Sequence, residues 1–231
     1  MNMSNFVAGL DLGLMNDFSA LCILEVKPEG IMHLRHLQRF RLGTKYWTVC
    51  THVERLLSKL PGTHSLVVDQ TGVGRGVTSM FEERAVPFIP VTITAGDKAV
   101  RVDGEWRVPK RDLVAGLTVA LQNGKLRVAK NLKESNNLVA EMLNFRVKIS
   151  VSGNDTYGAW RESVHDDLVL SCALAVWYAG KTAGSLGIES LNCPLTFGHV
   201  QMGGYEEPDY QHQTIEDVEQ YIRDRDGIEE R

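Results

Sequence analysis

The sequence predicts an α/β fold: one mixed sheet, an antiparallel meander continuing into parallel strands, with helices on both faces. Three observations carry this. The first forty residues hold three β-rich runs whose connections are too short for a crossover, so neighbouring strands must be antiparallel. Strand-length apolar runs then alternate with segments of helical period, as in βαβ units. Late in the chain, residues 164–178 are apolar on nearly every side, which marks a buried helix.

The three opening runs are FVAGLDLG, SALCILEV and MHLRHLQRF, separated by the turn segments Leu14–Phe18 and Lys27–Gly30. An amphipathic helix is predicted from Tyr46 to Leu60, with Val49, Val53, Leu56, Leu57 and Leu60 on one stripe; Pro61-Gly62 ends it. SLVVD (65–69) reads as a short buried strand, followed by a Gly-rich turn, a helix near Val77–Arg84 and the strand FIPVTI. In AVRVDGEWRV (99–108), Asp103-Gly104 between two alternating runs is a hairpin signal. A helix from Pro109 to Gln122 has Pro in its first turn and Gly124 as its stop. LRV makes a further strand, and Glu134–Leu143 a further helix. Beyond Gly180 the pattern breaks down, with one short amphipathic stretch at Ile215–Ile222. The division expected is a domain over 1–180 and an acidic tail over 181–231.

The 231 residues, 43% of them apolar, suffice for one substantial core and exclude disorder and collagen-like repeats. No apolar run reaches the ~18 residues of a membrane span, and the polar start MNMSN is not a signal peptide. Cys22, Cys50, Cys172 and Cys193 lie far apart and read as reduced thiols. The net charge of −4 is unevenly spread. Residues 98–148 carry eleven Lys/Arg against five Asp/Glu, and residues 181–231 four against eleven. A basic middle and an acidic end imply two surfaces with different partners.

Three acids stand at the ends of predicted elements. Asp11 lies in the first strand beside Gly9 and Gly13, whose small size leaves space for a ligand. Asp69 ends SLVVD, where an α/β sheet presents functional groups. Asp166 and Asp167 open the buried helix, after His165. Each has an ordinary alternative, helix capping for Asp166 or Asp167 and turn capping for Asp69. Together they form a carboxylate cluster that a hard cation such as Mg²⁺ or Mn²⁺ would neutralise. Two such ions about 4 Å apart would activate a water and stabilise the leaving oxygen of a phosphodiester.

This order of elements and acids resembles the ribonuclease H-like nucleases. GLDLGLMNDFSALCILE, VVDQTGVGRGV, VPKRDLVAGLTVALQNGKLRV and HDDLVLSCALA are similar to the C-terminal nuclease domain of tailed-phage terminase large subunits, over about residues 5–180. The resemblance implies a divalent-metal-dependent endonuclease that cuts concatemeric viral DNA during genome packaging. It places two ions on Asp11, Asp69 and the Asp166-Asp167 pair, with Asp167 the expected main ligand and Asp11, Asp69 and Asp167 catalytic. It further implies double-stranded DNA as substrate, a portal, small terminase subunit or ATPase motor as partner, and the cytoplasm of an infected bacterial host. TGVGRGV imitates a phosphate loop but lacks the Lys-Ser/Thr ending, so the motor of a terminase large subunit is not expected within this chain.

Arg101 and Arg107 of the hairpin, Lys110 and Arg111 after it, and Arg75 beyond Asp69 are the candidate DNA contacts. Lys125, Arg127, Lys130 and Lys133 continue the basic stretch. Arg101 faces Trp106 across the hairpin, a potential cation–π pair. Asp17 fits a turn role, and His165 either caps the helix or assists proton transfer. His33 and His36, three apart on a strand, are expected on opposite faces. A junction resolvase-like nuclease of the same fold and a non-catalytic packaging or assembly module remain alternatives. An actin-like ATP-binding fold needs more chain than is present.

Overall fold

A computed structural model describes residues 5–13, 17–27, 30–72, 75–129, 132–149, 155–159 and 165–183; the side chains of 75, 144–149, 155–159 and 183 lie outside the description. The Ile215–Ile222 stretch and the tail beyond Ala183 therefore lie outside the described residues.

Strands β1 (Asn5–Asp11), β2 (Ala20–Val26) and β3 (Met32–Arg39) form the antiparallel meander. Helix α1 (Tyr46–Ser58) leads to β4 (Thr63–Asp69), parallel to β1. Helix α2 (Arg75–Glu83) leads to β5 (Ile89–Thr94), parallel to β4. The hairpin of β6 (Val100–Val102) and β7 (Glu105–Pro109) joins the sheet through β7, parallel to β5. Asp103 and Gly104 have φ of 51° and 87°, the two left-handed residues of the hairpin turn that Asp-Gly favours.

Helix α3 (Lys110–Gln122), β8 (Leu126–Val128), α4 (Ser135–Asn144) and α5 (Asp167–Ala183) follow. Pro109 is the last residue of β7 and the cap position of α3, so strand passes directly into helix and Pro lies just outside it. A separate two-stranded sheet of β9 (Phe145–Ile149) and β10 (Asp155–Ala159), not predicted from the pattern, precedes α5.

The eight-stranded sheet runs β6-β7-β5-β4-β1-β2-β3-β8, with a core on each face. One face packs Val7, Cys22, Leu37, Val67 and Val91 against α3, α4 and α5. The other packs Leu10, Leu21, Leu66 and Val68 against α1 and α2. Helix α5 is buried on every side from Leu168 to Ala175, as its nearly all-apolar sequence there requires. No described helix is long and apolar enough to cross a membrane.

Two expectations are corrected by local geometry. The pairing of β2 with β3 shifts register between Ile23 and Leu24, which oppose His36 and Leu34, so Arg35 is an extra residue. Such a bulge reverses the alternation of facing. His33 and His36 consequently share the α1 face instead of lying on opposite faces, and Leu37 returns to the α5 face with Leu34. Second, the basic stretch does not form one surface. The strand order sends β6–β7 to one edge of the sheet and β8, with Arg127, to the other.

His36 yields a pH prediction. Its Nε2 lies 3.1 Å from Gln38 Oε1, which also meets His52 Nε2 at 2.9 Å. Burial, with a further contribution from His52, lowers the His36 pKa to about 4. A depressed histidine stabilises the fold in its neutral form, and that stability is lost as pH falls through 6.5 toward about 4. His36→Gln is expected to melt progressively above wild type over this window, by up to about 3 kcal/mol at the acid end. An equal pH dependence of the two melting curves would sink this assignment.

Candidate active site

One register row crosses the sheet. Asp11 pairs with Ala20, and Ala20 with Arg39. On the other side Leu10 pairs with Val68, which sets Asp69 beside Asp11. Asp69 pairs with Val91, Val91 with Trp106, and Trp106 with Arg101. Residues in register across a sheet point to the same side, and Ala20, Val91 and Trp106 belong to the α5 core or pack against it. Arg39, Asp11 and Asp69 therefore line up on that side, at strand spacings of about 4.8 Å. The parallel pair β1–β4 ends here, so two carboxylates meet at the carboxyl end of the sheet.

Helix α5 brings the third. Asp167 is its first residue, packed over this end of the sheet. Ordinary capping is supplied from elsewhere: Val169 N donates to Glu141 Oε2 on α4 at 3.1 Å. Asp166 turns instead to Lys110 at the start of α3, with Nζ to Oδ2 at 2.7 Å. Neither acid of the pair is consumed as the helix cap. Asp69 does fulfil its turn role with one oxygen, since Thr71 N donates to Oδ1 at 2.8 Å.

The electrostatics join the acids into one unit. Asp11, Asp69 and Asp167 are 7%, 5% and 5% exposed. Burial pushes the Asp11 carboxyl well above its ordinary range, and Asp69, Asp167 and Asp166 push it further, against Lys110. Burial raises Asp69 to about 6, opposed by its Thr71 hydrogen bonds and by Lys110. Asp167 also rises to about 6 through burial, opposed by Arg39 and His165. Buried carboxylates with acidic neighbours that disfavour their ionisation, as at Asp11, call for a cation or protons.

The donor set fits a hard divalent cation: all oxygen, buried, and including Asp167 Oδ2, a buried atom that no hydrogen bond reaches. Asp11, Asp69, Asp167 and Asp166 are the residues that could hold it. Among the described residues, however, no three His, Cys, Asp or Glu side chains are already grouped as around a metal ion. Lys110 on Asp166 and Arg39 near Asp167 bring positive charge to the acids, and the His165 ring stands beside Asp167.

The glycines beside Asp11 do not open space for a ligand. A Cβ on Gly9 would collide with the carbonyl oxygen of Ser171, and one on Gly13 with the backbone of Asp17 and Phe18. Both absent side chains instead admit backbone, that of α5 and that of the loop after β1. Asp17 is exposed in that loop.

The basic candidates part company. Arg101 shares the acid face and lies 5.8 Å over Trp106, whose ring Lys181 approaches at 4.4 Å. Arg107 is exposed on the opposite face, because it alternates with Trp106 and Val108. Arg111 bonds the Asp97 carbonyl at 2.7 Å and so ties down the segment before β6. Arg75 opens α2, but its side chain lies outside the described residues, as does Lys130. His165 packs edge-on against Phe18, with ring centroids 4.6 Å apart, and its Nδ1 is 3.8 Å from Asp167 Oδ2.

Arg39 and Glu141 were not anticipated. Arg39 pairs with Glu141 and lies 3.8 Å from Asp167. The Leu34-to-Leu37 spacing could have revealed the bulge that turns Arg39 toward the acids. Glu141, between Leu138 and Met142 on the buried stripe of α4, was the other signal.

No protein-family model matches the chain, and no curated protein matches it. Solved structures do. The large terminase nuclease from thermophilic phage G20c, with bound magnesium, superposes with a TM-score of 0.58 at 23% identity, over 76% of this chain and 82% of that one. The human cytomegalovirus terminase nuclease domain, soaked with Mn, gives 0.51 at 6% identity, over 79% and 87%. The HK97 bacteriophage large terminase gives 0.52 at 14%, over 76% of this chain but 39% of that one. The chain thus has the ribonuclease H-like fold of terminase nuclease domains, as the sequence resemblance implied.

Proposed function

We propose that this chain is a divalent-metal-dependent DNA endonuclease of the terminase large-subunit type, hydrolysing phosphodiesters with two ions. The observation that carries the reading is the convergence of Asp11, Asp69 and Asp167 from two adjacent parallel strands and a helix start. Their shared fold with nucleases solved with magnesium and Mn supports it. When bound, Mg²⁺ or Mn²⁺ would neutralise these carboxylates and supply Lewis-acid polarisation of the scissile phosphate.

The protein's own groups do the rest. Asp11, Asp69 and Asp167 form a buried, water-poor acidic floor, and Asp166 completes it while tethered by Lys110. Lys110 also offsets the repulsion that this floor would exert on an approaching phosphate. Arg101, on the same face, extends the contact along double-stranded DNA, with Arg75 and Arg111 as further candidate contacts; Arg107, on the opposite face, would have to meet DNA separately. Phosphate contacts of this kind confer little sequence preference and a steep salt dependence. In the same proposal residues 1–180 are the nuclease domain. The acidic tail, 181–231, meets a portal, small terminase subunit or ATPase motor in the cytoplasm of an infected bacterial host.

Incubation of supercoiled plasmid with Mg²⁺ or Mn²⁺ tests this. Wild type is expected to nick it and a chelator to stop the reaction, while Asp167→Asn should lose activity by on the order of a thousandfold, the scale for removal of a preorganised charged group. Nicking that survives the substitution, or none by wild type at any metal concentration, would overturn the proposal.

A further inference from the structure

Arg39 places a guanidinium beside Asp167, and its ion-pair partner is Glu141. The three side chains come from the end of β3, from α4 and from the first residue of α5. Arg39 Nη2 is in ion-pair contact with Glu141 Oε1, an oxygen that accepts no hydrogen bond, and its Nε stands 3.8 Å from Asp167 Oδ2, again without a hydrogen bond. Glu141 is itself anchored: its other oxygen accepts from Val169 N at 3.1 Å, so the carboxylate is fixed to the same helix turn that carries Asp167. On its far side the guanidinium lies 5.1 Å over the Phe18 ring. Arg39 is 19% exposed and Glu141 6%, so water screens their interaction little.

A guanidinium in this place has two choices. It can close on Asp167 as a bidentate partner, which would cover both oxygens and exclude another cation. Or it can be held by a competing carboxylate, remaining near enough to bias Asp167 yet leaving Oδ2 uncovered. The geometry is the second. We propose that Glu141 is a positioning residue that holds Arg39 off Asp167, keeping that carboxylate open to a divalent cation. The inference rests on the metal-dependent reading above and names the pair that sets its metal requirement. It makes Arg39 an internal competitor of the metal, restrained by Glu141.

The expected pattern is one of rescue. In Glu141→Gln the side-chain carbonyl still accepts from Val169 N, but the charge that holds Arg39 is gone. Arg39 then closes on Asp167, and Mn²⁺ affinity falls by about 10- to 100-fold, the range for groups that orient metal ligands. Removing the competitor as well, in Arg39→Met/Glu141→Gln, restores Mn²⁺ binding to near the wild-type level. A Glu141 that merely caps α5 predicts the reverse, a double variant that binds no better than the single one.

The experiment is titration of Mn²⁺ into the full-length, metal-free protein by calorimetry, for wild type and both variants, with melting curves of each to confirm folding. Weak binding by Glu141→Gln together with recovery in the double variant supports the proposal. Wild-type-like binding by Glu141→Gln, or a double variant as weak as the single, overturns it while leaving the nuclease reading standing. A wild type that binds no Mn²⁺ overturns the nuclease reading itself, and this inference with it.

Discussion

Asp69→Asn is expected to abolish plasmid nicking and, at the same time, to make the metal-free protein more stable above pH 6. The two effects have one cause. Burial raises Asp69 to about 6, so ionising it in the folded protein is unfavourable. A carboxyl whose pKa is raised by folding contributes its full stability below its unfolded value, 3.8, and loses it as pH rises to about 6. Above that pH the wild type carries the full cost, at most about 3 kcal/mol, and the neutral amide carries none. Asn retains an oxygen to accept from Thr71 N, so the turn after β4 survives the change. Thermal melts in chelator should therefore show Asp69→Asn above wild type at pH 8 and level with it near pH 4. Added Mg²⁺ should raise the wild type and leave the variant largely unmoved. A variant less stable than wild type at pH 8 would mean that the acids are structurally satisfied and not held apart for a cation.

Gly9→Ala is expected to damage the fold more than any ordinary surface change. Gly9 lies mid-strand in β1 on the face where α5 crosses. A Cβ there would meet the Ser171 carbonyl oxygen, and would lie 2.9 Å from Ala175 N and 3.2 Å from Ala175 Cβ. Two of these obstacles are helix backbone, which cannot turn aside like a side-chain tip. Overpacking a core costs about 1–3 kcal/mol and sometimes more, and this site belongs at the upper end. For a protein of this size the melting temperature should fall by on the order of 10 °C. Because α5 carries Asp167 and β1 carries Asp11, separating them should also weaken Mn²⁺ binding. Unchanged melting would show that the helix yields more easily than close packing allows.

Much of the fold was legible because hydrophobic period and short connections leave few topologies. The meander followed from three β-rich runs and two tight turns, and the buried helix from a segment without a polar face. Asp11, Asp69 and the Asp166-Asp167 pair were legible for a related reason: an acid at the end of an apolar strand or helix is costly unless it has work to do. What escaped was what depends on a single extra residue or on distant pairing. The bulge at Arg35 reversed the facing of everything after it in β3, bringing Arg39 to the acids and His33 to the side of His36. The pairing of β8 with β3 and of β7 with β5 split one basic run between opposite edges of the sheet. Strand β9, FRVKI, does alternate apolar and charged residues and was a signal passed over, whereas β10, DTYGA, carries no such alternation; among the described residues the two pair only with each other.

By itself, then, the sequence determined the class of fold, the succession of most elements along the chain and the acids at their ends, since periodicity, turn chemistry and the cost of burying charge are local properties. Tertiary structure alone decided which charges face those acids. Glu141 and Asp167 are 26 positions apart, and Arg39 lies about a hundred residues before either. Only the sheet register, the bulge and the seating of α5 against Gly9 bring the three together, and so settle whether Asp167 is capped, neutralised or left open.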